Sequence, residues 1–275
     1  MFVVNTIKND TGALISASVI SLIVSISVIS GFFIDEAVVM RVDLDLRNAP
    51  PSMSLPLGAD PAGRNMIPQL LLGARNSFAI TFAVTILCTT IGTFIGLVSG
   101  FYGGKVDYLV MRILDFFMML PTLMIIISIV ATVEDYGLIS FITIMTCFLW
   151  ADRARLIRTK TLQQTELGYV SASKTLGTPS IIIMIREVLP NLSPIIIVNT
   201  TLTLAANMGL ETGLSFLGFG LPLGTPSLGS LISHAATPAG MMDYPWQWLP
   251  ATALVFIMML CIYKIGRSIA RAVSR

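Results

Sequence analysis

The chain has 275 residues, of which 55% are hydrophobic and only 12% are charged, and its formal net charge is +2. Soluble domains carry about 25% charged residues, so this composition excludes an ordinary soluble protein. The mean hydropathy is +0.84, and the apolar residues form long uninterrupted runs between clusters of charge. This pattern predicts an all-α protein embedded in a lipid bilayer, and we expect no nucleic acid among its partners.

The apolar runs predict about six transmembrane helices. In chain order they lie at residues 13–34, 77–101, 108–132, 138–151, 192–221 and 248–265. The first run could belong to a signal peptide, but it is longer than the usual ~7–15 residues and no A-x-A-like cleavage site follows it. The fourth run is short, because residues 136–151 extend only about 24 Å as a helix and a bilayer core is ~30 Å thick.

The basic residues indicate an orientation. With six spans and both termini on one side, all but four of the 17 Lys and Arg residues lie on that side. Cytoplasmic loops are enriched in Lys and Arg, so we expect both termini in the cytoplasm and a multi-pass protein of the plasma or inner membrane. The predicted organisation is a cytoplasmic N-terminus (1–12), a first helix (13–34), an extracellular loop (35–76), a five-helix core (77–265) and a basic cytoplasmic tail (266–275).

A charged segment at residues 152–190 separates the fourth and fifth apolar runs. It is too long for a turn, and its pattern predicts a helix, a break and a second helix. "QQTELGYVSASKTLG" ends at Gly177, a residue type that often terminates helices, and Pro190 is expected to stop or kink the chain before helix five. A charged amphipathic helix lying on anionic lipid is the competing interpretation, with Arg153, Arg155, Arg158 and Lys160 as its anchors.

The stretch "YVSASKTLGTPSIIIMIREVLPN" resembles the cytoplasmic coupling loop of ATP-binding-cassette importer permeases. That loop has the pattern E-A-A, three residues, Gly, nine residues, Ile, one residue, Leu-Pro. This chain matches the pattern at Ala172, Gly177, Leu189 and Pro190. Ser171 stands at the glutamate position, Ser173 at the second alanine and Glu187 at the isoleucine.

Other segments resemble one branch of that family, the oligopeptide, dipeptide and nickel permeases. They are "LGADPAGRN", "LLLGARNS", "GFYGGKVDYLVMRILDFFMMLP", "ETGLSFLGFGLP" and "TPSLGSLI". The likeness therefore extends from about residue 57 to the end of helix six, and this spread makes it specific.

The resemblance implies a type I importer permease fold in which two short helices of the loop rest in a groove on a cytoplasmic ATPase subunit. Closure of two ATPase subunits around ATP would move the loop and expose a central pathway alternately to the outside and the inside. ATP and Mg²⁺ would belong to those partner subunits, and this chain would bind no cofactor or metal. The implied coupling residues are Tyr169, Val170, Ser171, Ala172, Ser173, Gly177, Glu187, Leu189 and Pro190.

The implied partners are a second permease subunit, most often a different chain in this branch, two ATPase subunits, and an extracellular or periplasmic solute-binding protein. Peptides are the first expected cargo, and nickel or a metal chelate is the second. Because Ser171 replaces the family glutamate, Glu166 and Glu187 are the acidic residues available to substitute for it. An ion-coupled secondary transporter would need no partners, but it predicts repeated halves that the sequence lacks.

Two motifs that suggest enzymatic chemistry are incomplete. "SGFYGGKV" lacks the first glycine of a phosphate-binding loop and ends in Val106, where Mg²⁺ coordination requires Ser or Thr. In "GLSFLG" the second glycine comes one position too late for a serine nucleophile turn. We therefore expect no catalysis by this chain and assign ATP hydrolysis to separate subunits.

Helix five carries a polar stripe formed by Thr200, Thr203, Asn207 and Glu211. Their offsets of 3, 7 and 11 residues place them on one helical face. An ionisable residue inside a span ordinarily faces a cavity or a partner, so the stripe is a candidate for the pathway or a subunit interface. Hydrogen bonding between helices of the same subunit is an equally good explanation.

Two shorter patterns predict packing rather than ligand chemistry. Gly92, Gly96 and Gly100 form overlapping G-x-x-x-G repeats in helix two, which permit close approach of another helix. Arg112 and Asp115 are three residues apart in helix three and are expected to pair with each other.

Overall fold

The structure is a computed structural model that describes residues 10–133, 136–222 and 224–273. The basic positions Lys8 and Arg275 used in the orientation argument lie outside this part of the chain. Within the described residues the chain is almost wholly helical, and extended pairing is limited to one isolated bridge between Ala59 and Asn65. The expected all-α class is therefore confirmed.

Four helices of the described chain are long and apolar enough to cross a membrane. They are α1 (Thr11–Phe33), α3 (Met66–Tyr102), the path Ser180–Phe216, and α13 (Pro245–Val273). The main part of the third path is α10 (Leu189–Phe216). They correspond to the predicted spans at 13–34, 77–101, 192–221 and 248–265.

Helix α3 begins earlier than the predicted span at 77–101. The Asn65 side chain accepts a hydrogen bond of 3.0 Å from the Ile67 backbone N–H and so caps the helix. The last part of the predicted loop 35–76 therefore forms the first turns of α3.

The third predicted span, 108–132, consists of two helices. α4 (Gly104–Met119) and α5 (Thr122–Thr132) are bent by 75° relative to each other. Pro121 lies at the break, and Leu120 before it has extended backbone angles of φ −72° and ψ 138°, as expected for a residue preceding proline. This bent pair counts as a fifth membrane span only if α4 and α5 cross the bilayer together as one unit.

The fourth predicted span, 138–151, is the short helix α6 (Leu138–Leu149). Its 12 residues measure about 18 Å, which is too short to cross a bilayer core alone. Trp150 has helical backbone angles, φ −76° and ψ −26°, and α7 (Ala151–Thr165) begins directly after it. The first half of the predicted loop 152–190 is therefore helix, and only residues from 166 onward form the connection to α10.

Helices α3 and α7 are packed against each other through the glycine repeat. A β-carbon placed on Gly96 would lie 2.6 Å from the Ala154 carbonyl oxygen and 2.8 Å from the Arg158 nitrogen. A β-carbon on Gly100 would lie 2.6 Å from the Thr161 β-carbon. Only glycine permits this backbone separation, so the predicted close approach is confirmed and its partner is α7.

The largest buried apolar cluster joins α3, α10 and α13, with α1 packed on its outer side. Its members include Ala74, Met208 and Met258. At the α13 N-terminus, the Gln247 side-chain N–H donates to the Ala59 carbonyl oxygen at 3.0 Å, so this helix also anchors the 58–59 turn. The short elements are α2 (Glu36–Val39), a 3₁₀ turn (Leu44–Leu46), α11 (Leu228–Ile232), a second 3₁₀ turn (Ser233–Ala236) and α12 (Pro238–Asp243).

The beginning of α1 and the end of α13 are tied together. The Asp10 carboxylate caps α1 by accepting hydrogen bonds from the backbone N–H groups of Gly12 and Ala13. Its second oxygen accepts a hydrogen bond of 2.8 Å from the Ser268 hydroxyl and one of 2.7 Å from the Arg271 guanidinium. One side chain thus joins the two ends of the described chain.

Candidate coupling site

Two short helices connect α7 to α10 at one end of the helical body. The first is α8 (Gly168–Thr175), and the second is α9 (Ser180–Ile183), which continues through a π-helical turn (Met184–Val188) into α10. We refer to α8, α9 and the π turn as the coupling hairpin. With the turn at residues 176–179 between its arms, it contains seven of the nine implied coupling residues, and the other two, Leu189 and Pro190, begin α10.

The corner of the hairpin is a Schellman motif centred on Gly177. Gly177 has φ +79°, its N–H donates to the Lys174 carbonyl oxygen at 3.0 Å, and the Thr178 N–H donates to the Ser173 carbonyl oxygen at 3.0 Å. These two bonds satisfy carbonyl groups that the end of α8 would otherwise leave open. The prediction that Gly177 terminates a helix is confirmed, and the positive φ explains why glycine is suited to this position.

A stop or a kink is expected at Pro190, and the structure shows that the chain does not stop there. Pro190 occupies the first turn of α10, where a missing N–H is tolerated, and the helical path from Ser180 runs through it to Phe216. The irregularity comes just before it, as the π turn Met184–Val188. Single π turns are often found at functional positions in helices.

The inner side of the coupling hairpin is an apolar core shared with the long helices. Val170 of α8, Ile183 of α9 and Val188 of the π turn are fully buried against Phe101 of α3 and Ile157 of α7. Burial of a side chain of this size contributes about 1.5–3 kcal/mol. A displacement of the hairpin must therefore carry α3 and α7 with it or expose this core.

Two further contacts attach α8 to the body. The Lys174 ammonium lies 4.9 Å from the centre of the Phe101 ring, a cation–π distance. The Tyr169 hydroxyl donates a hydrogen bond of 2.8 Å to the Gln164 side-chain oxygen at the end of α7. Both contacts reinforce the connection between α8 and the two long helices.

The outer side of the coupling hairpin exposes apolar side chains. Leu176 at the corner is 85% exposed, and Ile181 and Ile185 on the second arm are 60% and 56% exposed. Ser171 and Ala172 are also exposed. An exposed apolar patch at the corner between two short helices is typical of a surface that contacts another protein.

Two of the chain's three departures from the coupling-loop pattern, Ser173 and Glu187, contact each other. The Ser173 hydroxyl lies 2.9 Å from each carboxylate oxygen of Glu187. Glu187 is therefore engaged within the hairpin, whereas Glu166, two residues before α8, is exposed. Of the two candidates to replace the family glutamate, only Glu166 has its side chain free of hydrogen bonds in the described structure.

Two of the three arginines of α7 form ion pairs within the chain. The Arg158 Nε donates to the Asp107 carboxylate of α4 at 2.8 Å, in a bidentate pair, and Arg155 pairs with Asp115 of α4. These pairs favour a packed helix over the lipid-anchored interpretation. The predicted pair of Arg112 with Asp115 is wrong, since Arg112 lies over the Tyr108 ring at 5.0 Å. Sequence spacing gave no signal for Asp107, which is 51 residues from Arg158.

The polar stripe predicted for helix five lies on α10 and faces α3. The Asn207 side-chain N–H donates to the Thr85 hydroxyl at 3.0 Å, and the hydroxyls of Thr200 and Thr89 are 3.3 Å apart. Thr203 and Glu211 are buried as well. This is the interhelical bonding that was the second explanation of the stripe.

Glu211 has no ion-pair partner among the described residues. One carboxylate oxygen accepts a hydrogen bond of 2.8 Å from the Ser215 hydroxyl, and the other lies 3.4 Å from the Thr212 hydroxyl. The side chain is fully buried at the end of α10 away from the coupling hairpin. The pathway role of the stripe remains a prediction.

Comparison with known proteins agrees with the fold and with the motif. The profile of the family described as "Binding-protein-dependent transport system inner membrane component" matches residues 92–275. The oligopeptide transport system permease protein OppC of Lactococcus lactis subsp. cremoris (strain SK11) is 43% identical over 270 residues, which cover 98% of this chain and 92% of that protein. The protein of the same name from Mycobacterium tuberculosis (strain ATCC 25618 / H37Rv) is 28% identical over 234 residues, covering 85% of this chain and 80% of that protein.

A solved structure has the same fold. An inward-facing conformation of the MetNI methionine ABC transporter matches 76% of this chain and 98% of its own chain, with a TM-score of 0.62 and 22% sequence identity. The importer permease fold expected from the motif is therefore confirmed. The chain belongs to the family of binding-protein-dependent transport system inner membrane components.

Proposed function

We propose that this chain is the membrane permease subunit of an ATP-driven importer and carries oligopeptides across the membrane. The observation that carries the proposal is the coupling hairpin, an exposed apolar corner at Leu176 whose inner side is buried against α3 and α7. Such an element transmits force between a partner that grips the corner and the spanning helices. The cargo is taken from the names of the relatives, which are oligopeptide transport system permeases.

The hairpin defines the proposed orientation and the ATPase partner. Two cytoplasmic ATPase subunits hold ATP and Mg²⁺, and one receives the exposed corner at Leu176 in an apolar groove. The hairpin and both termini then face the cytoplasm. α10 spans about 42 Å from the hairpin, so its other end with Glu211 faces outward. A solute-binding protein delivers the peptide at that outer end.

A second permease subunit is the proposed partner within the membrane. An apolar groove of about 750 Å³ runs between α3 and α10 beside the hairpin, lined by Phe94, Val98, Ile196 and Ile197 among others. A related but different permease chain covers this groove in the proposed complex, and the pathway forms between the two chains. Alternating access then follows from movement of α3 and α10 relative to that partner.

Purification of the tagged chain from its host in mild detergent, followed by mass spectrometry, tests the proposal. Two ATPase subunits and a second permease are expected with it, and the reconstituted complex with its binding protein should import a labelled oligopeptide only when ATP is present. A complex that imports Ni²⁺ or a metal chelate but no peptide would overturn the cargo. A solitary chain that drives uptake with an ion gradient would overturn the importer assignment.

A further inference from the structure

The bond between Ser173 and Glu187 crosses the corner of the coupling hairpin. Ser173 belongs to α8 and Glu187 to the π turn, and both side chains are partly buried. The Ser173 hydroxyl lies 2.9 Å from both carboxylate oxygens, so its one proton is shared between them. A hydrogen bond to a carboxylate is about twice as strong as one between neutral groups.

No other side-chain hydrogen bond in the described chain joins α8 to the second arm of the hairpin. The Thr175 hydroxyl bonds only to the Ser171 carbonyl oxygen in its own helix, and Tyr169 bonds to Gln164 of α7. Glu187 forms no ion pair with any described residue. The carboxylate therefore has Ser173 as its specific side-chain partner.

The apolar core holds each arm against the body but leaves the angle between the arms open. Val170, Tyr169 and Lys174 of α8 make their contacts with the shared core, with Gln164 of α7 and with Phe101 of α3. The backbone bonds at Gly177 fix the end of α8 but stop at Thr178. The Ser173–Glu187 bond is the side-chain hydrogen bond that attaches α8 to the second arm, one turn from Val170.

We infer that Ser173 and Glu187 are positioning residues that hold the two arms of the coupling hairpin at a fixed angle. The inference rests on the proposed function, in which a partner grips the corner at Leu176. With the bond in place, displacement of Leu176 moves the π turn and α10 together with α8. Without it, α8 remains attached to α3 and α7 but less firmly to the second arm, and part of the displacement is lost before it reaches α10.

The sequence pattern is consistent with this role. Ser173 and Glu187 stand where the coupling-loop pattern has alanine and isoleucine, and the structure brings both departures into contact. The pattern has apolar residues at both positions, and here the two side chains form a charged hydrogen bond. The substitution pair Ser173→Ala with Glu187→Ile puts the apolar residues of the pattern at both positions and provides a compensating variant.

Hydrogen–deuterium exchange on the purified chain in detergent tests the bond without any partner. The reporter is the Thr178 amide, which donates to the Ser173 carbonyl oxygen at the corner. Ser173→Ala and Glu187→Ala should each speed its exchange about tenfold, the loss expected for a bond to a charged group. Glu187→Gln keeps an acceptor and should give a smaller change, and Thr175→Ala is the matched hydroxyl deletion and should give none.

Transport by the reconstituted complex tests the consequence. Ser173→Ala and Glu187→Ala should retain ATP hydrolysis but lower the peptide imported per ATP at least about threefold, and the Ser173→Ala, Glu187→Ile double variant should recover most of it. Equal exchange at Thr178 in all variants would overturn the inference, even in a complex that imports peptide. If exchange is faster as predicted but the chain binds no ATPase, the inference about the Ser173–Glu187 bond is supported and the proposed function is overturned instead.

Discussion

Gly177 is the residue on which the shape of the coupling hairpin depends most directly. Its φ of +79° lies in the left-handed region, and its N–H is bonded to the end of α8. Nothing lies within 4 Å of the position a β-carbon would occupy, so the backbone angle rather than crowding requires glycine. A substitution here changes the corner without disturbing the spanning helices.

Replacement of Gly177 by proline should uncouple transport from ATP hydrolysis. Proline fixes φ near −65° and removes the N–H that bonds to Lys174, so neither requirement of the corner is met. We expect normal membrane insertion, measured by expression and gel filtration, and at least about tenfold lower ATP-driven uptake. Gly168→Ala, an open position in the same hairpin, is the control. Normal uptake by a correctly inserted Gly177→Pro protein would contradict the coupling assignment.

Asp10 provides a test of the contact between the two chain ends. The pKa of its carboxyl is held below the ordinary value, first by the hydrogen bond from Ser268 and then by bonds from the α1 backbone and the charge of Arg271. Because the folded pKa is lower than the unfolded value of about 3.9, the contribution to stability is present above that value and disappears as pH falls through the folded pKa.

Thermal unfolding of the purified chain should therefore show a lower melting temperature for Asp10→Asn than for the native protein at pH ~6–8, with a constant difference across that range. The difference should shrink below pH ~4, because the unfolded carboxyl takes up a proton there, and it should vanish once pH falls below the lower pKa of the folded carboxyl. Ser268→Ala should reproduce part of the effect. A difference that grew with acid would show that Asp10 acts in some other way.

The helix pair α3 and α7 shows how a repeat of small residues determines packing. Gly92, Gly96 and Gly100 bring the α3 backbone against α7, and α7 carries the arginines that bond to α4. A polar helix with four basic residues is thereby held inside the body instead of on a lipid surface. The packing of α7 within the body requires the close contact between the α3 glycines and α7.

A methyl group at Gly96 should disrupt that contact. Gly96→Ala places a β-carbon 2.6 Å from a backbone oxygen of α7, which cannot move without displacing the helix. We expect a loss of about 1–3 kcal/mol in unfolding free energy, the cost of overpacking a core. Gly213→Ala in α10 meets nothing within 4 Å and serves as the control. Equal stability of the two variants, measured by denaturant unfolding in detergent, would contradict the packing.

The sequence predicts the positions of helices that have a strong local hydropathy or glycine signal. It does not predict the residues at which those helices begin and end. Hydropathy located α1, α3, α10 and α13, and glycine located the end of α8. The break at Pro121 and the start of α3 at Met66 depend on capping and packing that a hydropathy window does not register. Hydropathy predicts no span at 151–165 because the segment is charged, and it does not show that Arg155 and Arg158 pair with carboxylates of α4.

The two ends of the helical body have different surfaces. One presents the apolar corner of the coupling hairpin, and the other gathers the loops around residues 48–60 and 226–247. Ser77 and Asn76 of α3 bond to the backbone of Leu228 and Pro226 at that second end. Separate sets of contacts therefore hold the two ends, and the long helices connect one end to the other.

Cysteine labelling tests the proposed orientation of these ends. In a chain whose native cysteines, Cys88, Cys147 and Cys261, are replaced by alanine, Leu176→Cys and Met53→Cys place a thiol on exposed positions at opposite ends. A membrane-impermeant maleimide should label Met53→Cys in intact cells and Leu176→Cys only after the membrane is opened. The reverse pattern would contradict the cytoplasmic assignment of the hairpin, and labelling of both in intact cells would contradict a spanning arrangement.

The membrane class, the helical fold, the coupling motif and its glycine corner all follow from short stretches of sequence, because hydropathy and backbone preference act within a few residues. The partners of the polar side chains do not. Asn207 bonds to Thr85 across 122 residues, and Glu187 to Ser173 across 14. Such contacts depend on which helix faces lie together, and that is set by packing of the complete chain. The tertiary structure therefore decided that the polar stripe binds α3, that α7 is packed within the body, and that Glu187 closes the hairpin.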